Sequence, residues 1–369
     1  MLLTPDVKCE RRDLFNRERE LSEVLNAIRS GERLIIVCGV RRIGKSSLVN
    51  VALRKVGEPF IIIDVRALYF NSGFKGITER VLVEDYLRKI RESKRLFEKI
   101  RDELSDLASR IESITIGPLG VRVKRGRGLR LTEILSEIDD WCSRRRRRFI
   151  IALDEAQYLR FSNRRFNLLL AWSIDNLKNI VHVLTGSEVG LLRDFLKLDS
   201  PDSPLRGRVR REIYLERFSY EESLEFLKRG FEEVEFKAPL IEIEEAVRQL
   251  NGVPGWLTLY GYYRAVRRLS HRDALNLVLE EGSTLVISEL GKIIEKSKAR
   301  YTAILKAIAS GCRRWSDIKA FTEARTGPIP DNRFNELLEK PTKYGYVEKT
   351  NEEYTVEDPI VKYVALNKL

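Results

Sequence analysis

Gly39, Val40, Arg41, Arg42, Ile43, Gly44, Lys45 and Ser46 spell G-x-x-x-x-G-K-S, directly after the β-rich run Arg33 to Cys38 and before a helical stretch from Ser47 to Leu53. A strand, a glycine-bounded loop and a helix in that order make a phosphate cradle. The glycines allow a turn tight enough for several backbone N–H groups to face one phosphate, and the start of the following helix adds positive potential. Lys45 is expected to reach the outer phosphates of a nucleotide, and the Ser46 hydroxyl to ligate Mg²⁺. The whole run from Gly39 to Ser47 is therefore a candidate binding loop. Few folds accept this segment, because the loop needs a strand buried in a parallel sheet behind it.

Such a loop needs an acidic partner, and Phe149 to Leu153 followed by Asp154 and Glu155 supplies one: an apolar strand ending in two carboxylates. At the carboxyl edge of a sheet, where ligands of open α/β folds bind, Asp154 would position Mg²⁺ and Glu155 would orient or deprotonate an attacking water. Two solvated acids at a strand end are the plainer alternative, and the neighbouring loop argues against it. A further strand end, Leu184-Thr185-Gly186-Ser187, offers hydroxyls that would either sense a γ-phosphate or cap a helix before Val189. The residues alone leave both readings open.

Apolar β-rich runs at 33–38, 60–65, 149–154 and 180–185 alternate with helical patterns at 17–29, 79–110 and 131–142. Strands separated by helices predict crossover units and a doubly wound parallel sheet. Beyond residue 215 helical periodicity takes over, at 219–231, 240–250, 254–268 and 271–279. Helices near 300–309, 315–324 and 331–340 then precede two short strands around Thr350 and Asn351, the order of a winged helix-turn-helix. The expected organisation is an α/β P-loop NTPase core over 1–215, a helical lid domain over 216–296 and a winged-helix domain over 297–369.

The order of these motifs resembles the archaeal ATPase family of the STAND clade of AAA+-like P-loop NTPases, from about residue 13 to the C-terminus. Phe15-Asn16-Arg17-Glu18-Arg19-Glu20 resembles that family's signature near the adenine, with Asn16 in place of the usual glycine. Leu184 to Ser187 is similar to its sensor element, Pro204-Leu205-Arg206-Gly207-Arg208 to its basic element, and Asn251-Gly252-Val253-Pro254-Gly255 to its lid motif. The resemblance implies ATP with Mg²⁺ as ligands and ATP hydrolysis as the activity. It implies nucleotide contacts for Arg17, Thr185 and Pro254, and catalytic roles for Lys45, Glu155 and Arg206 or Arg208, the last pair as an arginine finger within the chain or across a subunit interface. On their own residues, Arg206 and Arg208 read equally as solvated charges, and Pro254 as the first residue of a helix.

The formal charge of +12 invites a polyanionic partner. Ten basic and four acidic residues fall within 121–148, among them the uninterrupted run Arg144 to Arg148. This segment is a candidate nucleic-acid surface, although it lacks interleaved aromatics for base stacking. The winged-helix region carries 13 basic and 10 acidic residues, a small excess for a DNA-backbone reader, which favours a protein contact or self-association there. Two histidines and four scattered cysteines give no zinc or Cys-His pattern. No apolar run is long enough for a membrane span, and Met1 to Asp6 lead straight into charged sequence, so a cytoplasmic location is expected. The expected activity is an ATPase acting as a nucleotide-controlled switch on a macromolecular partner. The alternatives are a nucleic-acid-binding regulator in which ATP is secondary, and a P-loop kinase, for which no acceptor motif is present.

Overall fold

The computed structural model describes residues 1–93, 105–107, 109 and 130–369. The glycine-punctuated basic stretch from Gly120 to Leu129 and most of the expected helix beyond Ser93 lie outside the described residues. β1 (Leu34–Cys38), β2 (Phe60–Asp64), β3 (Phe149–Asp154), β4 (Ile180–Gly186) and β5 (Arg211–Tyr214) form one parallel sheet in the order β2-β3-β4-β1-β5. The inner strands are apolar and buried almost throughout, as strands covered on both faces must be. β5 does not register as a strand in the sequence. It is a four-residue edge strand with mostly polar, part-exposed side chains, so it lacks the apolar run that marks the others.

Alternate residues of each strand point to opposite layers. Ile35, Val37, Ile150 and Val183 pack with Leu21, Val24, Val49 and Ala52 of α1 (Glu18–Ser30) and α2 (Lys45–Val56). Ile36, Ile151 and Leu184 face the other layer, formed by α3 (Val65–Asn71), α4 (Glu79–Ser93), α5 (Leu131–Arg145), α6 (Phe166–Asn176) and α7 (Val189–Leu196). This is the doubly wound arrangement that the alternation predicts. Because β4 and β3 follow β1 in the sheet, the carboxyl ends of all three open on the same edge.

The remaining helices are α8 (Tyr220–Glu232), α9 (Leu240–Leu250), α10 (Pro254–Gly261), α11 (His271–Ile294), α12 (Lys298–Ala309), α13 (Trp315–Thr326), α14 (Asp331–Lys343) and α15 (Pro359–Asn367). A hairpin of β6 (Glu348–Thr350) and β7 (Glu353–Thr355) precedes α15 and completes the winged-helix order. Two expectations change. The helix expected over 254–268 ends at Gly261 and continues as a π-helical turn over Tyr262–Val266. The helix expected over 271–279 runs on to Ile294, through Gly282, where a Cβ would approach Ile360 to 2.9 Å and Trp256 to 3.1 Å. In sequence that glycine reads as a breaker; in the structure it is a contact point for α15. One hydrophobic cluster joins Trp256, Val278 and Val286 to Ile304, Ile360 and Val361, so α10 and α11 share a core with the winged-helix helices. Leu2 and Leu3 are part of it, and Leu3 fits against Gly230 and Gly261, where added Cβ atoms would stand 2.6 and 2.4 Å from it.

Candidate nucleotide site

The 39–46 loop closes over the end of β1 in a conformation that its glycines make possible. Gly39 has φ 148°, and a Cβ there would stand 2.8 Å from the Leu215 carbonyl oxygen and 3.0 Å from the Ile43 side chain. Gly44 has φ 99° and immediately precedes α2, so the first N–H groups of that helix are unsatisfied within it and face the loop. Lys45, 5% exposed, folds back to donate to the carbonyl oxygens of Gly39 and Val40, both at 2.8 Å. Burial lowers its pKa, against the pull of Glu155 and Asp154. An ammonium held only by its own loop's carbonyls can exchange them for phosphate oxygens.

The two acids lie across the sheet edge from the loop. Asp154 accepts from the Ser46 hydroxyl, at 3.1 Å to Oδ1 and 2.9 Å to Oδ2, and from the Thr185 hydroxyl. Thr185 Oγ1 in turn accepts from the Glu155 backbone N–H at 3.1 Å. Burial raises the Asp154 pKa, only partly countered by the bonds from Thr185 and Ser46. Glu155 sits in the left-handed region (φ 54°), and its Oε2 accepts from Ser187 Oγ at 2.7 Å and from the Gln157 amide. Burial alone would raise Glu155, but Lys45 and the donors from Ser187 and Gln157 hold its pKa below the ordinary value. One strand end thus carries two carboxylates whose pKa values are shifted in opposite directions.

A cavity of about 280 Å³ runs from this cluster towards the lid. Gly44, Lys45, Ser46, Ser47 and Glu155 line its polar end; Phe15, Phe218, Phe226, Pro254 and Thr258 line its apolar end. Arg17, 6% exposed, also lines it, donating to Glu216 O at 2.7 Å with its guanidinium 4.9 Å from the Phe218 ring centroid. Asn16 adopts φ 44°, a left-handed conformation that asparagine tolerates where the resembling signature has glycine. Residues 4–8 form a wall of the cavity, and the Lys8 N–H donates to Ser47 Oγ at 3.0 Å. Nothing in the sequence marks that wall. A larger cleft, about 1080 Å³, lies between residues 11–18 and α8 and is lined by mixed charges, without the loop or the acids.

The structure brings Gly44, Lys45, Ser46, Ser47, Asp154, Glu155, Arg17 and Pro254 to one place. Gly39, Val40 and Ile43 shape the loop; Pro254 is also the first residue of α10. Other candidates are engaged elsewhere. Arg41 pairs with Glu188 at 2.9 Å and with Glu289 of α11. Arg42 lines the cavity, accepts from the Gly255 N–H at 2.9 Å, and stacks over Trp256 at 4.2 Å. Thr185 fastens the two acids rather than capping α7, whose N-cap is Glu188. Arg208 pairs with Asp175 at 2.8 Å and Arg206 donates to Pro201 O at 3.1 Å; neither lines the cavity. The clamp of Ser187 and Gln157 on Glu155 is not legible in sequence, because it depends on how the ends of β3 and β4 meet.

Oxygen donors alone, from Ser46 and Asp154, suit a hard cation whose remaining ligands are waters and phosphate oxygens. No cluster of three or more His, Cys, Asp or Glu side chains able to hold a metal by themselves occurs among the described residues.

Residues 14–259 match the family described as an ATPase domain predominantly from Archaea, and residues 295–356 match the C-terminal winged helix-turn-helix domain of MCM proteins. Among solved structures, the chain is similar to the Walker-type ATPase PABY2304 of Pyrococcus abyssi, with 36% identity, 99% of each chain covered and a TM-score of 0.83. It shares its fold with the ORC2 protein of Aeropyrum pernix, solved in ADPNP–ADP complexes, at 15% identity, 98% and 94% coverage and a TM-score of 0.61. No curated protein matches the sequence.

Proposed function

The chain belongs to the family of ATPase domains found predominantly in Archaea, and from that premise we propose that it hydrolyses ATP with Mg²⁺ and uses its nucleotide state to switch a winged-helix unit between arrangements. The observation that carries the reading is a cavity lined by both Lys45 and Glu155, with Ser46 bonded to Asp154 at its polar end. The phosphates lie along the loop and α2, and the base packs at the end walled by Phe15, Phe218 and Pro254. Mg²⁺, held by Ser46 and Asp154, would neutralise phosphate charge. Asp154 and Ser46 would hold that cation through their side-chain oxygens. Lys45 releases its loop carbonyls to meet the outer phosphates. Glu155, ionised, orients the attacking water once it leaves Ser187 and Gln157.

Contacts between the winged-helix unit and this site support the switch. The end of α14 packs on α7, just beyond the turn that carries Ser187: a Cβ on Gly190 would stand 2.7 Å from Lys343 Cα, Lys343 pairs with Asp194 at 2.9 Å, and a Cβ on Gly345 would stand 3.2 Å from Ser187 O. Arg41 of the loop faces Tyr346 at 5.7 Å, and Arg160, which shares Glu188 with Arg41, faces Tyr344 at 5.8 Å. The γ-phosphate therefore acts on a loop and a strand end that both touch the winged helix, the arrangement a nucleotide switch requires. The partner is a macromolecule that engages the winged helix in one of its arrangements.

The alternative of a nucleic-acid regulator loses support from the arginine run. Arg148 donates to Arg29 O at 3.0 Å at the end of α1, Arg145 pairs with Asp106 at 3.1 Å, and Arg147 faces Glu58 at 3.9 Å. Small-angle scattering of the Glu155→Gln variant with Mg-ATP, with ADP and without nucleotide tests the switch. Different profiles for ATP and ADP support it; one profile in all three states contradicts it.

A further inference from the structure

Segments far apart in the chain bring aromatic rings together beside the turn that follows β3. α3 ends with Tyr69, Phe70 and Asn71, the loop after it carries Phe74 and Lys75, and Ala156–Phe161 forms a 3₁₀ turn. The Ile77 N–H donates to Phe161 O and the Asn163 N–H to Ile77 O, both at 3.1 Å, so backbone bonds fasten the loop to the turn. Gly76 permits that approach: it has φ 98°, and a Cβ there would stand 2.8 Å from Phe161 O. The rings form one cluster. Tyr69 stacks on Phe161 at 4.4 Å and lies 5.4 Å from Phe74 and 5.7 Å from Tyr158, while Phe70 lies 5.3 Å from Phe74. Arg160 extends the stack, 4.4 Å over Phe161. Phe70, Phe74 and Phe161 are nonetheless exposed, Phe74 by 57%. Large apolar side chains grouped at a surface mark a place of contact.

A cavity of about 530 Å³ opens beside the cluster, at Ser162 and Asn163. Arg160, Arg164, Arg165 and Lys197 line it, with Asp202 the one acid in its lining. Arg160 pairs with Glu188 at 3.2 Å and Arg164 with Glu79 at 2.8 Å. Arg165, at the N-cap of α6, and Lys197, at the C-cap of α7, are exposed, and their side chains have no hydrogen bond or ion pair among the described residues. Exposed Lys75 adds a further cation on the ring side.

We propose that this surface binds single-stranded nucleic acid, with phosphates in the cationic cavity and unpaired bases against Phe74 and its exposed neighbours. The cations alone suit any polyanion, and the rings choose among them. An acidic peptide would fill the cavity with carboxylates but offer the rings no flat faces, and a duplex keeps its bases stacked on one another. Base stacking beside a cationic groove needs no base-specific hydrogen bonds, so DNA and RNA strands share the chemistry that the surface recognises. The inference goes beyond the nucleotide switch and stands without it. A bound strand would nevertheless lie next to the switch, since Gln157 of the same turn holds Glu155 and Arg160 faces Tyr344 of the winged-helix unit.

The test is fluorescence anisotropy with a labelled oligonucleotide of mixed sequence, offered as single-stranded DNA, as single-stranded RNA and as a duplex, and with a labelled polyglutamate peptide. The parent chain is expected to bind a single strand about tenfold or more tighter than the duplex or the peptide, and the tighter of the two strands names the natural one. Phe74→Leu weakens strand binding about tenfold and Phe74→Tyr, which keeps a ring, restores it. Arg165→Gln combined with Lys197→Gln weakens binding and lowers the slope of log affinity against log salt by about 1.4, the share of two phosphates on a single strand. Arg144→Gln combined with Arg146→Gln, in the arginine run, keeps parental binding. Absence of strand binding overturns the proposal, as does parental affinity in Phe74→Leu or in the Arg165 and Lys197 variant. Equal affinity for the duplex overturns it too, and a peptide bound as tightly as the strand reassigns the surface to an acidic protein. A loss in Phe74→Leu that Phe74→Tyr does not restore marks a structural role and contradicts it equally.

Discussion

Single residues decide how far the site could be read in advance. Gly39, Gly44, Lys45, Ser46, Asp154 and Glu155 were legible because their chemistry depends on local spacing. Thr185 was singled out with its role left open, because its hydroxyl bonds the Asp154 carboxylate and the Glu155 backbone N–H on the neighbouring strand, contacts that spacing along the chain does not encode. Gly39→Ala is expected to abolish measurable nucleotide binding, since its Cβ would meet the Leu215 carbonyl at 2.8 Å in a left-handed conformation; titration with a fluorescent nucleotide checks this. His182 makes a different prediction. It is buried in β4, its Nε2 bonded to Ser173 Oγ at 2.8 Å and its Nδ1 without a partner, and burial lowers its pKa to about 4. Between the ordinary value near 6.5 and about 4, the unfolded chain takes up a proton that the folded chain refuses. Stability is therefore present at neutral pH and lost on acidification through that window, by up to about 3 kcal/mol. His182→Gln should flatten that part of the denaturation profile against pH.

Among the elements, long periodic or continuously apolar segments were readable and short or interrupted ones were not. β5 is a polar edge strand, and α11 passes through Gly282, whose missing side chain makes room for α15. The arginine run shows the converse: it looks like a binding surface, yet Arg148 reaches the carbonyl end of α1. Arg148→Ala is expected to destabilise the fold by about 1–2 kcal/mol, and chemical denaturation measures it. The segment before α1 is a further element without a sequence signal. Leu3→Ala should cost about 2–5 kcal/mol by emptying the space between Gly230 and Gly261.

For the molecule as a whole, the alternation of strands and helices gave the doubly wound core and the C-terminal winged-helix order, whereas the shared hydrophobic core of the later helices and the docking of α14 on α7 depend on long-range packing. Gly190→Leu places a side chain where Lys343 backbone now lies, and is expected to separate the winged helix from the core, seen as a larger radius of gyration with the far-ultraviolet circular dichroism unchanged. No described helix is long and apolar enough to cross a membrane. The central claim is that the loop and the acids form one hydrolytic site. Mg-ATP turnover of the parent chain, Lys45→Ala and Glu155→Gln measured side by side tests it most directly. The expected result is turnover by the parent, loss of nucleotide binding and turnover in Lys45→Ala, and retained binding with turnover about a hundredfold slower in Glu155→Gln. Turnover in both variants at the parental rate would contradict it.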